Sequence, residues 1–104
     1  MFVMGQISID IPNDKIADFC RRWRIREFSL FGSVIRHDAQ PDSDIDVLVS
    51  FKEDASWSSF ELIAMTDELK TLFGREVDLV EKEALRNPFR RHSILTNREI
   101  IYAA

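Results

Sequence analysis

The stretch that decides the fold runs from Phe31 to Val49 and reads F-G-S-V-I-R-H-D-A-Q-P-D-S-D-I-D-V-L-V. An apolar, strand-like run delivers the chain to Gly32-Ser33, and ten residues separate Ser33 from Asp44. Ser33 to about His37 reads as a short helical segment. Pro41-Asp42-Ser43 reads as a turn, and Ile45 to Val49 as a covered strand of β-branched and apolar residues. Side chains alternate along a strand, so Asp44 and Asp46 point to one face while Ile45, Val47 and Val49 point to the other. Two carboxylates roughly 7 Å apart on one face repel each other unless a cation sits between them. The pair therefore reads as a metal site. Taken alone, Asp-x-Asp more often marks a strand end facing water than a metal site, and Gly-Ser is ordinary turn material. The weight lies in their order: strand, Gly-Ser, short helix, turn, then Ser-Asp-x-Asp in a second strand.

Working outward, Phe2 to Ile9 suits a short edge strand or an ordered arm. Pro12-Asn13 looks like a helix start with Asn13 as N-cap, and Ile16, Phe19, Cys20 and Trp23 make one apolar stripe at helical spacing. Cys20 on that stripe reads as a small buried hydrophobe rather than a nucleophile. Glu27 to Phe31 is the strand leading into Gly32, where the missing side chain lets a ligand approach the backbone. The helix N-terminus that follows offers free N–H groups to a phosphate, whether or not Ser33 also caps it. Ser58 and Glu61 form a capping-box pattern that opens a longer helix with Leu62, Met65, Leu69 and Leu72 as its buried stripe and Gly74 as its stop. Glu76 to Val80 is a third strong strand, and Asp78 interrupts its apolar character. A buried carboxylate there needs a partner or a metal, with Arg75 one candidate partner. If this strand lies beside the Asp-x-Asp strand, three carboxylates converge. A helix starting near Pro88 and a final strand from Glu99 to Tyr102 complete the chain. Arg86, Arg90, Arg91 and Arg98 make this tail locally basic; a solvated face is the favoured reading, and a contact surface for an acidic partner or a nucleotide tail is the alternative. Neither His37 nor His92 has neighbours at metal-ligand spacing.

The expected fold class is α/β (α+β): a small mixed β-sheet flanked by helices. At 104 residues the expectation is one domain, residues 1–104, with a modest core. A formal net charge of -4 counts against nucleic acid as a general electrostatic partner. A single cysteine excludes an intrachain disulfide and fits a reducing compartment. No run approaches the length of a membrane span, so the expected location is cytoplasmic.

L-F-G-S, P-D-S-D-I-D-V-L-V and R-E-V-D-L-V together resemble the core signature of the DNA polymerase β-like nucleotidyltransferase superfamily, in which Gly-Ser is followed after about ten residues by Asp-x-Asp. The match is closest to the minimal nucleotidyltransferases (MNT), the antitoxin half of HEPN–MNT toxin–antitoxin pairs. It covers essentially the whole chain, and the ending N-P-F-R-R-H-S-I-L-T-N-R-E-I-I-Y-A is family-like too. The resemblance implies the polymerase β-like fold and a nucleotide site at Gly32, Ser33, Arg36 and Ser43. It implies Asp44, Asp46 and Asp78 as a catalytic, metal-binding acidic triad for two Mg²⁺ ions. The implied reaction is transfer of AMP from ATP to a tyrosine hydroxyl of a cognate HEPN-type toxin, which silences that toxin within a hetero-oligomeric complex. Members often carry Arg directly after Gly-Ser and Gly at the position of His37; here Val34 follows Ser33, while Arg36 and Asp38 keep family-like positions. Two other readings stay open at this level: an antitoxin that acts by binding alone, and a nucleotidyltransferase acting on RNA or a small-molecule hydroxyl.

Overall fold

The computed structural model describes residues 11–32 and 44–104. The edge strand or arm expected at Phe2–Ile9, the short helix from Ser33, the turn ending at Ser43, and Arg36 with its neighbours lie outside the described residues. In chain order the elements are α1 (Asn13–Arg22), β1 (Ile25–Phe31), β2 (Ile45–Phe51), α2 (Ser59–Phe73) and β3 (Val77–Glu81). A 3-10 turn (Lys82–Ala84), α3 (Pro88–Thr96) and β4 (Arg98–Ala103) follow. The strands form one four-stranded sheet in the order β3-β2-β1-β4. β1 runs antiparallel to β2 and to β4, and β2 runs parallel to β3. The mixed sheet flanked by helices is thus the one the sequence predicts. Its parallel step is made through α2, as parallel neighbours need a long crossover.

Alternation along β2 sorts the interior into two layers. Ile45, Val47 and Val49 point to the side of α1 and α2, where they join Ile16, Phe19, Cys20, Met65 and Leu69 in the main core. Leu48 points the other way and packs with Phe31, Leu85 and Ile94, against Val80 and Leu95. Strict alternation would put Ile25 and Phe28 of β1 on opposite faces, yet both lie in the main core. A register shift between Ile25 and Glu27 adds one residue and reconciles them, as a β-bulge does.

Local chemistry sets the helix ends. Pro12, not Asn13, occupies the cap position of α1, and no side chain caps it; Pro12 O already accepts from the Ile16 N–H at 2.9 Å, so Asn13 is the first helical residue. Of the predicted stripe, Ile16, Phe19 and Cys20 are buried on α1, while Trp23 stands just past its end and is half-buried. Burial pushes the Cys20 thiol up to about 12, against a smaller opposing pull from Arg21, and it remains a protonated core hydrophobe. Helices α1 and α2 are tied by Arg22, which pairs with Glu68, and by the Trp23 indole N–H, which donates to Glu68 Oε1 at 3.0 Å. The capping box forms as predicted, with the Ser58 backbone N–H donating to Glu61 Oε1 at 2.5 Å. Gly74 ends α2 in the left-handed conformation, φ 68°, which glycine adopts without a side-chain clash. Asn87 caps α3, its Oδ1 accepting from the N–H groups of Phe89 and Arg90 at 2.9 and 3.1 Å, with Pro88 in the first turn.

Candidate active site

The end of β1 and the starts of β2 and β3 meet at one edge of the α3 side of the sheet. Phe31 lies opposite Asp46 in the antiparallel pair, and Asp46 lies opposite Asp78 in the parallel pair. Neighbouring strands stand about 4.8 Å apart, so register alone places two carboxylates side by side. Their parity is that of Leu48 and Val80, away from the main core. Helix α3 forms the other wall, and the cleft between them has a volume of about 380 Å³, lined by Phe31, Gly32, Asp46, Asp78, Arg90, Ser93, Ile94 and Asn97.

Gly32 has a role here that its turn-forming chemistry did not reveal. Its φ is 76°, and a Cβ built on it would lie 2.2 Å from Asp46 Oδ2 and 3.1 Å from its Cγ. The Asp46 carboxylate therefore rests against the bare Cα of Gly32. Any side chain there would strain the backbone and displace the carboxylate.

The three predicted carboxylates are not placed alike. Asp46 is half-buried in the cleft, whereas Asp78 is exposed on it. The expectation of a buried Asp78 is thereby corrected, because β3 begins where the cleft opens and its side chain meets solvent rather than core. Asp44 is exposed, one residue before β2 begins, and does not line the cleft. Gly32 lines it; Ser33, Arg36 and Ser43 fall outside the described residues. Among the described residues, no three or more His, Cys, Asp or Glu side chains gather to hold a metal ion. The donor set at Asp46 and Asp78 is of hard carboxylate oxygens. It fits Mg²⁺, which is commonly held by one or two carboxylates together with substrate phosphates.

The basic tail is not one solvated face. Arg98 is only 15% exposed and donates from Nη1 to Glu27 Oε1 at 2.6 Å, while Lys82 Nζ lies 3.7 Å from the same oxygen. Burial pushes the Glu27 carboxyl up, but the hydrogen bond and charge of Arg98, with Lys82, outweigh it and hold the group below the usual carboxylate range. Arg91 Nη1 donates to the Lys82 carbonyl at 3.0 Å. Arg90 lines the cleft opposite the aspartates. The favoured reading of a solvated face gives way here, because arginines close in sequence look solvated whatever lies beneath them; the alternative of a contact with a nucleotide tail concerned this same stretch. The usable signal was the spacing of Arg90, Ser93 and Asn97, which places three polar residues on one helical stripe.

A family model described as nucleotidyltransferase domain matches residues 14–101. The protein adenylyltransferase MntA of Thermococcus cleftensis is 38% identical over 81 residues, covering 78% of this chain and 77% of its own. A crystal structure of a toxin–antitoxin with AMP-PNP superposes with a TM-score of 0.73 at 19% identity, over 90% of this chain and 75% of that one. A structure of the tri-AMPylated Shewanella oneidensis HEPN toxin in complex with its MNT antitoxin gives 0.65 at 19%, over 88% and 70%. These two share the fold. The family match spans the sheet, both aspartates of the cleft and α3, and this chain therefore belongs to the nucleotidyltransferase domain family, among its minimal members.

Proposed function

We propose that this nucleotidyltransferase is an antitoxin that transfers AMP from ATP to a tyrosine hydroxyl of a HEPN-type toxin, within a hetero-oligomeric complex in the cytoplasm. The observation that carries the reading is the in-register pair of Asp46 and Asp78 in a cleft whose floor is the bare Cα of Gly32. The relative named protein adenylyltransferase MntA supports the reaction class. The neighbours named as a toxin–antitoxin with AMP-PNP and as an AMPylated HEPN toxin with its antitoxin support the nucleotide and the partner. Among the described residues no helix is long and apolar enough to cross a membrane.

In the proposed reaction the acceptor oxygen attacks the α-phosphorus of ATP. A new P–O bond forms, the bond to the β-phosphate oxygen breaks, pyrophosphate leaves, and the hydroxyl proton is given up. Asp46 and Asp78, with Asp44 from the segment entering β2, would hold two Mg²⁺ ions, which would supply neutralisation of phosphate charge and a more acidic acceptor hydroxyl. Gly32 keeps Asp46 in place and leaves the backbone open to the nucleotide. Ser33, Arg36 and Ser43 complete the grip on the phosphates. Asp78, exposed on the cleft, is the carboxylate an acceptor reaches from solvent, and it helps take the proton.

The test is transfer of label from α-³²P-ATP, with Mg²⁺, to the protein encoded beside this one. The Asp44→Asn/Asp46→Asn variant runs in parallel. Label on the neighbour that disappears with the variant is the expected result. A stable complex that never becomes labelled would overturn the reading in favour of an antitoxin acting by binding alone. Labelling of RNA without any protein acceptor would overturn the choice of substrate.

A further inference from the structure

We infer that Arg90 is a nucleotide-binding residue of the cleft, gripping the β- and γ-phosphates from the wall opposite Asp46 and Asp78. The inference rests on the nucleotide-transfer reading above and adds to it a cation on an element outside the Gly-Ser and Asp-x-Asp stretch. Three observations lead to it. Arg90 lines the same cleft of about 380 Å³ as both aspartates. The two neighbouring arginines of the tail have structural partners, Arg98 on Glu27 and Arg91 on the Lys82 carbonyl, whereas Arg90 forms no ion pair among the described residues. The stripe it belongs to continues with Ser93 and Asn97, and the Asn97 Nδ2 is already committed to Ser93 O at 2.9 Å. Among the described residues the guanidinium is thus the one cation the α3 wall brings to this cleft.

The electrostatics favour a polyanion spanning the cleft. On the β-strand wall, two carboxylates repel a bare triphosphate and tolerate it only through cations. On the α3 wall a guanidinium offers planar, charge-assisted donors matched to phosphate oxygens. A triphosphate lying between the walls satisfies both, with its α-phosphate toward the aspartates and its tail toward Arg90. Adenosine, which has no phosphate, gains nothing from the α3 wall. Arg90 is exposed, so its replacement removes charge without opening a cavity in the core.

Equilibrium binding of AMP-PNP and of adenosine, each with Mg²⁺, to the unsubstituted protein and to Arg90→Ala and Arg90→Lys tests this. The expected result for Arg90→Ala is AMP-PNP affinity lower by about tenfold to a hundredfold, unchanged adenosine affinity and an unchanged melting temperature. Arg90→Lys should recover part of the loss, because a point charge lacks the fork. Equal AMP-PNP affinity of the Ala variant and the unsubstituted protein would overturn the assignment while leaving the nucleotide-transfer reading intact. So would an equal loss for both ligands, which marks a structural effect. Failure of the unsubstituted protein to bind AMP-PNP would instead remove the parent reading, and this assignment with it.

Discussion

The two faces of the sheet are built from the same strands by opposite rules. Toward α1 and α2 the side chains of Phe28, Leu30, Ile45, Val47 and Val49 are fully or almost fully buried in one large apolar core. Toward α3 the apolar cluster is small, and along β2 Leu48 stands between Asp46 and Ser50. One end of this face carries the Asp46–Asp78 cleft; the other carries Lys82 and Glu27, the latter reached by the Arg98 side chain from β4, with Ser50 donating to Glu83 at 2.7 Å. The helix lengths account for much of the difference. Helix α2 has 15 residues and α3 only 9, and α3 seats just Ile94 and Leu95 in the apolar cluster on its side. One face holds the fold together, while the other, incompletely covered, keeps charge where chemistry needs it.

The largest expected effect breaks the first face. Phe28→Ala should destabilise the protein by about 3–5 kcal/mol, since a fully buried ring leaves a cavity between two helices and the sheet; a urea or thermal denaturation curve measures it. Asp78→Asn should do the reverse. Because Asp78 is exposed, stability should change by less than about 0.5 kcal/mol. AMP transfer should nevertheless fall by at least about a hundredfold, near 2.7 kcal/mol of barrier. If both variants lost stability and activity together, the division of labour between the faces would be wrong.

Gly32→Ala probes the seam between the faces. The positive φ alone should cost about 1–3 kcal/mol, and the new Cβ must push the Asp46 carboxylate out of its place. Transfer should therefore fall by more than the stability loss accounts for, measured at a temperature where the variant is fully folded. Normal activity in a folded Gly32→Ala variant would show that the contact with Asp46 does not matter.

The smallest effect is the pH dependence that Glu27 contributes on the charged face. Glu27 has a folded pKa held below its unfolded value. Its contribution is thus fully present above the ordinary carboxylate pKa near 4.3 and is lost as pH falls through the lower folded value. Below about pH 5, Glu27→Gln should flatten the decline of stability measured by acid titration, whereas Phe28→Ala should shift the curve downward without changing its slope.

Much of this was legible in the sequence because it is written in local patterns. The 3.6-residue stripe of Ile16, Phe19 and Cys20, the Ser58–Glu61 cap, Gly74 as a stop, and the covered strand at Ile45–Val49 each depend on near neighbours in the chain. The parity of Asp78 was equally readable. Resemblance carried by the Gly-Ser and Asp-x-Asp stretch also pointed to the family.

Tertiary structure decided what depends on registry between distant segments. Only strand pairing sets Asp46 beside Asp78, leaves Asp44 outside the strand, and turns Gly32 from a turn residue into the surface on which a carboxylate rests. Only the packing of α3 and the pairing of β4 divide the tail's arginines into Arg98 held by Glu27, Arg91 held by a carbonyl, and Arg90 facing the cleft. The physical reason is that helix and strand periodicity reports which side of its own element a residue occupies, whereas pairing register and helix packing determine what stands opposite it.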